Sequence, residues 1–140
     1  MPRTSVTLVS VGYEGRFVDE FATGLRAEGV EIVVDVRLNA ISRRPGFSKR
    51  ALRAILEEHG IDYVHERSLG NPRDNRYGFR RGLVQAVETY RRLVEACPEI
   101  TDRLATSLRG RKAAVLCYEA DDQTCHRRIV IERLASAAEI

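Results

Sequence analysis

Residues 113–128 read AAVLCYEADDQTCHRR, and this stretch decides the expected fold. An apolar run ends in Cys117, a short acidic loop follows, and residues 124–128 open a segment that reaches the C-terminus with apolar residues at helical spacing. That order is typical of a strand, a loop and a helix. The reactive side chains of the stretch would therefore lie in the turn between the strand and the helix.

The predicted start of this last helix is rich in cations. His126, Arg127 and Arg128 would lie in its first turn, where the helix dipole already carries partial positive charge. Each cation there costs up to about 1 kcal/mol unless an anion lies nearby. The anion could be Asp121 or Asp122, or it could be a bound ligand, and the residues leave both interpretations open.

The same alternation of strands and helices extends over the whole chain. Short apolar or β-branched runs predict strands at residues 5–11, 31–36, 61–65 and 112–117. Apolar residues at helical spacing predict the helices between and after them, near residues 17–25, 48–60, 83–94, 98–108 and 125–134. We predict a single α/β domain over residues 1–140, with a mainly parallel sheet of about four strands and helices on both faces. Residues 66–78 are rich in turn formers and predict an irregular loop.

Polar clusters follow every predicted strand. In parallel α/β sheets the ligand crevice lies outside the carboxyl ends of the strands, so segments that follow different strands meet there. The four clusters occupy residues 12–16, 35–47, 65–76 and 117–128. Their convergence on one edge of the sheet predicts a binding site.

Thiol or acid–base chemistry is one use of such a site. Cys125 lies beside His126 at the predicted helix start, where dipole and cations lower a thiol pKa and favour a nucleophile. The alternative is a small residue that only packs. Glu119 could serve as a general acid or base, so Glu119, Cys125 and His126 are the candidate catalytic residues. His65 is a candidate proton carrier or a structural histidine, and Cys117 is expected in the core.

Metal binding and disulfide formation are weaker predictions. No Cys-x-x-Cys pair is present, and adjacent Cys125 and His126 would be awkward as joint ligands, so we expect no metal site. Three cysteines in a chain of this size fit free thiols, and a Cys117–Cys125 disulfide is conceivable but disfavoured in a reducing compartment. No signal-peptide pattern and no membrane-spanning apolar run occur, which predicts a cytoplasmic location and no membrane partner.

Anion binding is the leading prediction, because four polar clusters converge and cations lie at the start of the last helix. The chain is also arginine-rich, with Lys49 and Lys112 its only lysines, and the alternative explanation of that excess is a codon bias toward arginine. Guanidinium groups bind phosphate and carboxylate through two parallel hydrogen bonds. Amides at the last helix's N-terminus would add to such a site. The candidate ligand-binding residues are Gly12, Tyr13, Arg37 and Arg127. The alternative is an internal ion-pair network that ties the loops together, formed by Asp35, Arg37, Glu119, Asp121 and Arg127.

The expected partner is a small anionic ligand, phosphate- or nucleotide-like, and whether the chain is an enzyme stays open. Neither a dinucleotide fingerprint nor a Walker A loop is present, so no cofactor is indicated. The alternative function is a non-catalytic module that binds nucleic acid or a protein. Its contacts would be Arg43, Arg44, Arg73, Arg76, Arg80 and Arg81.

Four motifs in order, VGYEGR, DVRLNAISRRPGFSK, HERSLGNPR and LCYEADDQTCHRR, also resemble a known family. It is the bacterial and archaeal family catalogued as domain of unknown function 488. The residues that match its motifs are Gly12, Tyr13, Gly15, Asp35, Arg37, Pro45, Gly46, Phe47, Leu69, Gly70, Cys117, Glu119, Cys125, His126 and Arg127. The resemblance implies a small α/β domain and indicates which residues matter. It brings no established reaction.

Overall fold

A computed structural model describes residues 6–138 and contains one sheet of four parallel strands. The strands are β1 (Thr7–Gly12), β2 (Ile32–Asp35), β3 (Asp62–His65) and β4 (Lys112–Cys117). Their order across the sheet is β1, β4, β2, β3, so the last strand of the chain lies between the first two. The predicted α/β class with a parallel sheet is confirmed. The predicted first strand began at residue 5, which lies outside the described residues.

Six helices occur among residues 6–138, and none of them is both long and apolar enough to cross a bilayer. They are α1 (Val18–Ala27), α2 (Lys49–Glu58), α3 (Arg73–Arg80), α4 (Val84–Glu95), α5 (Pro98–Ser107) and α6 (Arg127–Ala138). Two short 3-10 turns lie at Arg67–Leu69 and Asp122–Thr124.

The central strand β4 is apolar on both sides because helices cover both faces of the sheet. Ala113, Val115 and Cys117 join one core, which also contains side chains from α3 to α6. Ala114 and Leu116 join the other core, with side chains from α1 and α2. A near-continuous apolar run is the expected sequence of a parallel strand buried on both faces.

Two helix boundaries are predicted from one residue each, the end of α1 from Gly29 and the start of α2 from Ser48. Gly29 follows α1 with a φ of +81°, which glycine adopts without steric cost, and so ends that helix as predicted. Ser48 is the N-cap of α2 as predicted, but its side chain does not cap the helix. Its Oγ instead accepts a hydrogen bond from the Ser42 amide over 2.9 Å.

The predicted irregular loop over residues 66–78 is wrong, since helix α3 occupies its second half. Pro72 stands at the N-cap and Asp74 in the first turn, both favourable at a helix start. Phe79 is buried and packs edge-to-face on Tyr90 of α4, with ring centroids 6.1 Å apart. Asn75 of α3 also donates to the Ala86 carbonyl oxygen of α4 over 2.8 Å. These tertiary contacts hold an otherwise polar helix in place, and local composition does not reveal them.

Candidate functional site

A pocket of about 240 Å³ lies beyond the carboxyl ends of the strands. Segments that follow each of the four strands line it, so the predicted clusters do meet at one edge of the sheet. The lining residues are Tyr13, Arg37, Leu38, Asn39, Ile41, Asn71, Arg76, Arg80, Cys117, Tyr118, Glu119, Thr124, Cys125 and His126.

A buried ion pair at the end of β2 forms one wall of the pocket. Arg37 donates from Nε to Asp35 Oδ1 over 2.8 Å and from Nη2 to Asp35 Oδ2 over 2.6 Å. Its Nη1 donates to Tyr13 Oη over 3.2 Å and to the Phe47 carbonyl oxygen over 2.7 Å. Tyr63 donates to Asp35 Oδ2 over 2.5 Å. Arg37 therefore lines the pocket with its charge already matched by a carboxylate.

Asp35 also raises the pKa values of the two side chains that donate to it, Arg37 and Tyr63. Burial lowers the pKa of Arg37, but the hydrogen bond and attraction of Asp35 outweigh it, so this pKa is raised overall. Burial, and then the negative charge of Asp35, raise the pKa of Tyr63. Both side chains keep their protons at neutral pH, which holds the wall of the pocket in one hydrogen-bonded state.

Arg127 is 1% exposed and lies beneath the pocket, not in its lining. It donates to Ser10 Oγ over 2.6 Å, to Cys117 Sγ over 3.0 Å, and to the carbonyl oxygens of Glu119 and Ala120 over 2.6 and 3.2 Å. Burial lowers the pKa of Arg127, against the attraction of nearby carboxylates. Arg127 thus fastens the loop after β4 to strand β1.

The turn after β1 places Tyr13 in the pocket but Gly12 beneath it. Tyr13 stacks on Phe47 at 4.4 Å between centroids and meets the edge of Tyr118 at 5.3 Å. A Cβ on Gly12 would collide with the backbone carbonyl of Glu119. Gly12 therefore allows the loop after β4 to approach β1, and Tyr13 is the member of the predicted pair that lines the cavity.

The three predicted catalytic side chains come together in the pocket lining. Glu119 Oε2 lies 3.6 Å from Cys117 Sγ, and Cys125 Sγ lies 3.7 Å from His126 Nδ1. The chain can bring them together because the 3-10 turn Asp122–Thr124 reverses its direction after β4. A carboxyl group, an imidazole and two cysteine sulfurs therefore lie within one small volume.

The ring of His126 has a defined hydrogen-bonding state. Its Nε2 lies 2.8 Å from the carbonyl oxygen of Val36, which can only accept, so Nε2 carries the ring proton. Nδ1 consequently presents a lone pair towards Cys125. Burial lowers the pKa of His126 to about 4, with the Val36 carbonyl opposing and Arg76 adding to the fall. The ring is neutral at pH 7.

The cysteine predictions need one correction. The sulfurs of Cys117 and Cys125 are in bonding contact, with their Cα atoms 7.4 Å apart, so Cys97 is the one free thiol among residues 6–138. The donor atoms of Cys125 and His126, expected to be awkward as joint ligands, lie within 4.8 Å of each other and of Cys117 Sγ. The extended backbone at Cys125 precedes the helical backbone of α6, and this change of direction aligns them.

Two arginines of α3, Arg76 and Arg80, also line the pocket. The sequence predicted them as contacts of the alternative nucleic-acid or protein module, not as residues of the anion site. Arg76 and Arg80 are one helical turn apart and so lie on the same side of α3. Arg76 donates from Nε to the Asn71 carbonyl oxygen over 3.1 Å, and Arg80 Nη2 lies 3.4 Å from Glu119 Oε1. Their i, i+4 spacing is visible in the sequence, but it indicates a shared helix face only where the segment is predicted to be helical.

His65, the candidate proton carrier, does not line the pocket. Its Nε2 lies 2.7 Å from the carbonyl oxygen of Arg37, which ties the end of β3 to the segment after β2. This contact supports the structural interpretation of His65.

The sequence profile of one family, described as Domain of unknown function DUF488, matches residues 17–134. The chain belongs to this family. The DUF488 match spans β2 to β4 and most of the pocket lining, and it begins after Tyr13. No curated protein and no solved structure shows significant similarity to this DUF488 chain.

Proposed function

We propose that this chain binds a small anionic ligand, phosphate- or nucleotide-containing, in the pocket at the carboxyl ends of its strands. One observation carries the proposal. Arg76 lines the cavity, and none of the ion pairs among residues 6–138 includes it. A cation without a carboxylate partner inside a concave site is suited to an anion supplied by the ligand.

Arg80 adds a second contact for the same anion. Its pairing with Glu119 is long, at 3.4 Å, and the Arg80 side chain is 55% exposed. Such a pair contributes at most about 1 kcal/mol, so a ligand phosphate can displace Glu119 at small cost. Arg76 and Arg80 then bind the phosphate from one side of α3, since guanidinium groups match its oxygens in pairs.

The other predicted ligand-binding residues take supporting positions in this proposal. Arg37 lines the wall with its charge matched by Asp35, and Arg127 holds the loop that bears Glu119. Tyr118 is 44% exposed and packs its ring against the buried Tyr13, so it offers aromatic surface that favours a ligand with a flat ring such as a nucleobase.

Catalysis on the bound ligand is the further part of the proposal. Glu119, once released by Arg80, is positioned for general acid or base work, with Cys125 and His126 in the same lining. The cytoplasmic location expected from the sequence also remains a prediction.

A ligand panel tests the proposal. Thermal unfolding of the wild type is measured with inorganic phosphate, nucleoside mono- and diphosphates, and sugar phosphates, and hits are titrated by calorimetry. Arg76→Ala should weaken binding roughly tenfold or more, because a hydrogen bond to a charged group contributes about 1.5–3 kcal/mol. Arg26→Ala is the matched control, since Arg26 is exposed in the last turn of α1, away from the pocket lining. Failure of every ligand to stabilise the folded wild type contradicts the proposal.

A nucleic-acid module is the second candidate, and the exposed side of α3 favours it. Tyr77 is 67% exposed beside Arg73 and Arg81, and Arg81 Nη1 donates to Tyr77 Oη over 2.8 Å. Arginine beside an exposed aromatic ring suits stacked bases and phosphates. Retention of single-stranded DNA or RNA that weakens steeply with salt, and that Arg81→Ala reduces, supports this function. No retention at low salt contradicts it.

A further inference from the structure

We propose that the reduced protein binds one zinc-class metal ion through Cys117 Sγ, Cys125 Sγ and His126 Nδ1. This inference goes beyond the proposed anion binding and rests on different atoms, so either proposal can fail without the other.

The three donor atoms already form a cluster. They lie within 4.8 Å of one another, and all three side chains are buried. The two sulfurs are bonded to each other in this structure, so reduction must separate them before an ion can bind. Cys117 ends β4, and Cys125 and His126 lie immediately before α6. Two secondary-structure elements therefore fix the ligands, with only a short loop between them. Fixed donors of this kind reduce the ordering that metal binding would otherwise require.

His126 is in the form that a metal ion requires. The Val36 carbonyl holds the proton on Nε2 at 2.8 Å, which leaves the Nδ1 lone pair free and directed at the cysteines. Metal-bound histidines commonly donate their other ring N–H to a carbonyl or carboxylate, which fixes the tautomer and the ring plane. The structure supplies that supporting contact in addition to the ligand.

The backbone spacing of the cysteines suits a bridging ion better than a disulfide. Their Cα atoms are 7.4 Å apart, whereas disulfide-linked cysteines usually have Cα atoms about 4.4–6.8 Å apart. A tetrahedral zinc ion with Zn–S bonds of about 2.3 Å holds two sulfurs roughly 3.8 Å apart. A metal ion between the two thiolates therefore fits the wide separation of the Cα atoms, whereas a direct sulfur–sulfur bond favours a shorter one.

Charge and ligand type define the class of metal. Arg127 Nη1 donates to Cys117 Sγ over 3.0 Å, which stabilises a thiolate at that position. Two thiolates and an imidazole select zinc-class ions over magnesium or calcium, which prefer oxygen. The three donor residues line the pocket, and Glu119 Oε2 lies 3.6 Å from Cys117 Sγ. Three protein ligands and one open position are typical of catalytic rather than structural zinc.

Binding displaces protons and moves no electrons. Each thiol loses its proton as its sulfur bonds the ion, and neutral His126 contributes its lone pair. A protein oxidised to the Cys117–Cys125 disulfide has no thiolates to offer. The oxidised wild type is therefore an internal control with an unchanged sequence.

Cobalt(II) is the probe for the experiment. The full chain is reduced with a phosphine, freed of metal by a chelator, and titrated with cobalt under anaerobic conditions. We expect one cobalt per chain by native mass spectrometry, with a thiolate-to-cobalt charge-transfer band that added zinc abolishes. The oxidised protein should show no such band.

Variants locate the ligands. Cys117→Ser and Cys125→Ser should lose the charge-transfer band or weaken cobalt affinity more than tenfold, since even supporting contacts of metal sites contribute about 10–100-fold. Cys97→Ser is the matched control and should bind as the wild type does, because Cys97 hydrogen bonds to the Leu93 carbonyl in α4, away from the cluster. His126→Gln should keep a thiolate band at reduced affinity.

The outcomes are decisive even where a variant does not fold, because the wild-type titration stands alone. Absence of the charge-transfer band in reduced, folded wild type overturns the proposal. Wild-type affinity in a folded Cys125→Ser variant overturns it too, as does loss of binding in Cys97→Ser. Circular dichroism of each variant establishes that it is folded.

Discussion

His126 donates a hydrogen bond from Nε2 to the carbonyl oxygen of Val36 over 2.8 Å, and this contact joins the start of α6 to the segment after β2. The two residues are 90 positions apart in the chain. The contact holds a neutral imidazole in a buried site beside Cys125. Protonation of this imidazole should therefore lower the free energy of unfolding.

The metal-free protein with the Cys117–Cys125 disulfide should lose stability as the pH falls from about 6.5 to about 4. Burial lowers the pKa of His126 to about 4 from its ordinary 6.5, so within that window only the unfolded chain takes up the proton. The full shift corresponds to about 3 kcal/mol of unfolding free energy. Urea unfolding at pH 7 and pH 4 measures it. His126→Gln should lose about 3 kcal/mol less than the wild type over this range.

Asp35→Asn should destabilise the fold by about 3–5 kcal/mol, since it leaves the buried Arg37 without its counter-charge. The control is Asp62→Asn. Asp62 pairs with Arg111 at the same 2.6 Å but is 69% exposed, and exposed pairs contribute about 1 kcal/mol or less. Equal losses in the two variants, measured by urea unfolding, would show that the buried network does not depend on the Asp35 charge.

Gly12→Ala should destabilise the protein by roughly 1–3 kcal/mol, because its Cβ collides with backbone at Glu119 and the loop must shift. Gly24→Ala is the matched change within α1. A Cβ there comes no closer than 3.9 Å to Arg16, and helix propensity should make the variant about 0.5–1 kcal/mol more stable. Differential scanning calorimetry of both variants tests the contrast, and an unchanged melting temperature for Gly12→Ala would argue against the close approach.

Arg127→Ala should cost about 3 kcal/mol or more, since it removes the donor that serves Ser10, Cys117 and two loop carbonyls. The neighbouring Arg128 is the control. It lies over the Phe79 ring at 5.3 Å, a contact worth about 0.5–1 kcal/mol at a partly exposed site. Chemical unfolding of Arg127→Ala and Arg128→Ala separates the two contributions. Similar losses would mean that the loop does not depend on Arg127.

The class of fold could be predicted from the sequence because its strands carry a strong local signal. Runs such as residues 31–36 are apolar throughout, which is the pattern of a parallel strand buried on both faces. Because helices alternate with these strands, the sheet is predicted to be parallel, and the polar clusters that follow the strands are predicted to meet at its carboxyl edge. Strand order could not be predicted, since it depends on which faces pack and not on any one segment.

The finer structure of the site depends on tertiary contacts. Helix α3 is polar over most of its length. Its buried Phe79 packs on Tyr90, which lies 11 residues further along the chain. Because the sequence does not predict this helix, it also does not predict that Arg76 and Arg80 lie on the same side of it. The approach of Cys125 and His126 depends on one change of backbone direction before α6, which residue types alone do not specify.

The position of β4 between β1 and β2 also has a consequence for biosynthesis. A chain released from the ribosome up to residue 65 contains three of the four strands, yet β1 has no neighbour to pair with, because its partner is made last. The same late segment carries Cys117, Glu119, Cys125 and His126. A truncated or stalled product therefore has neither the complete four-stranded sheet nor the pocket at its carboxyl edge, and both form only after this last segment is made.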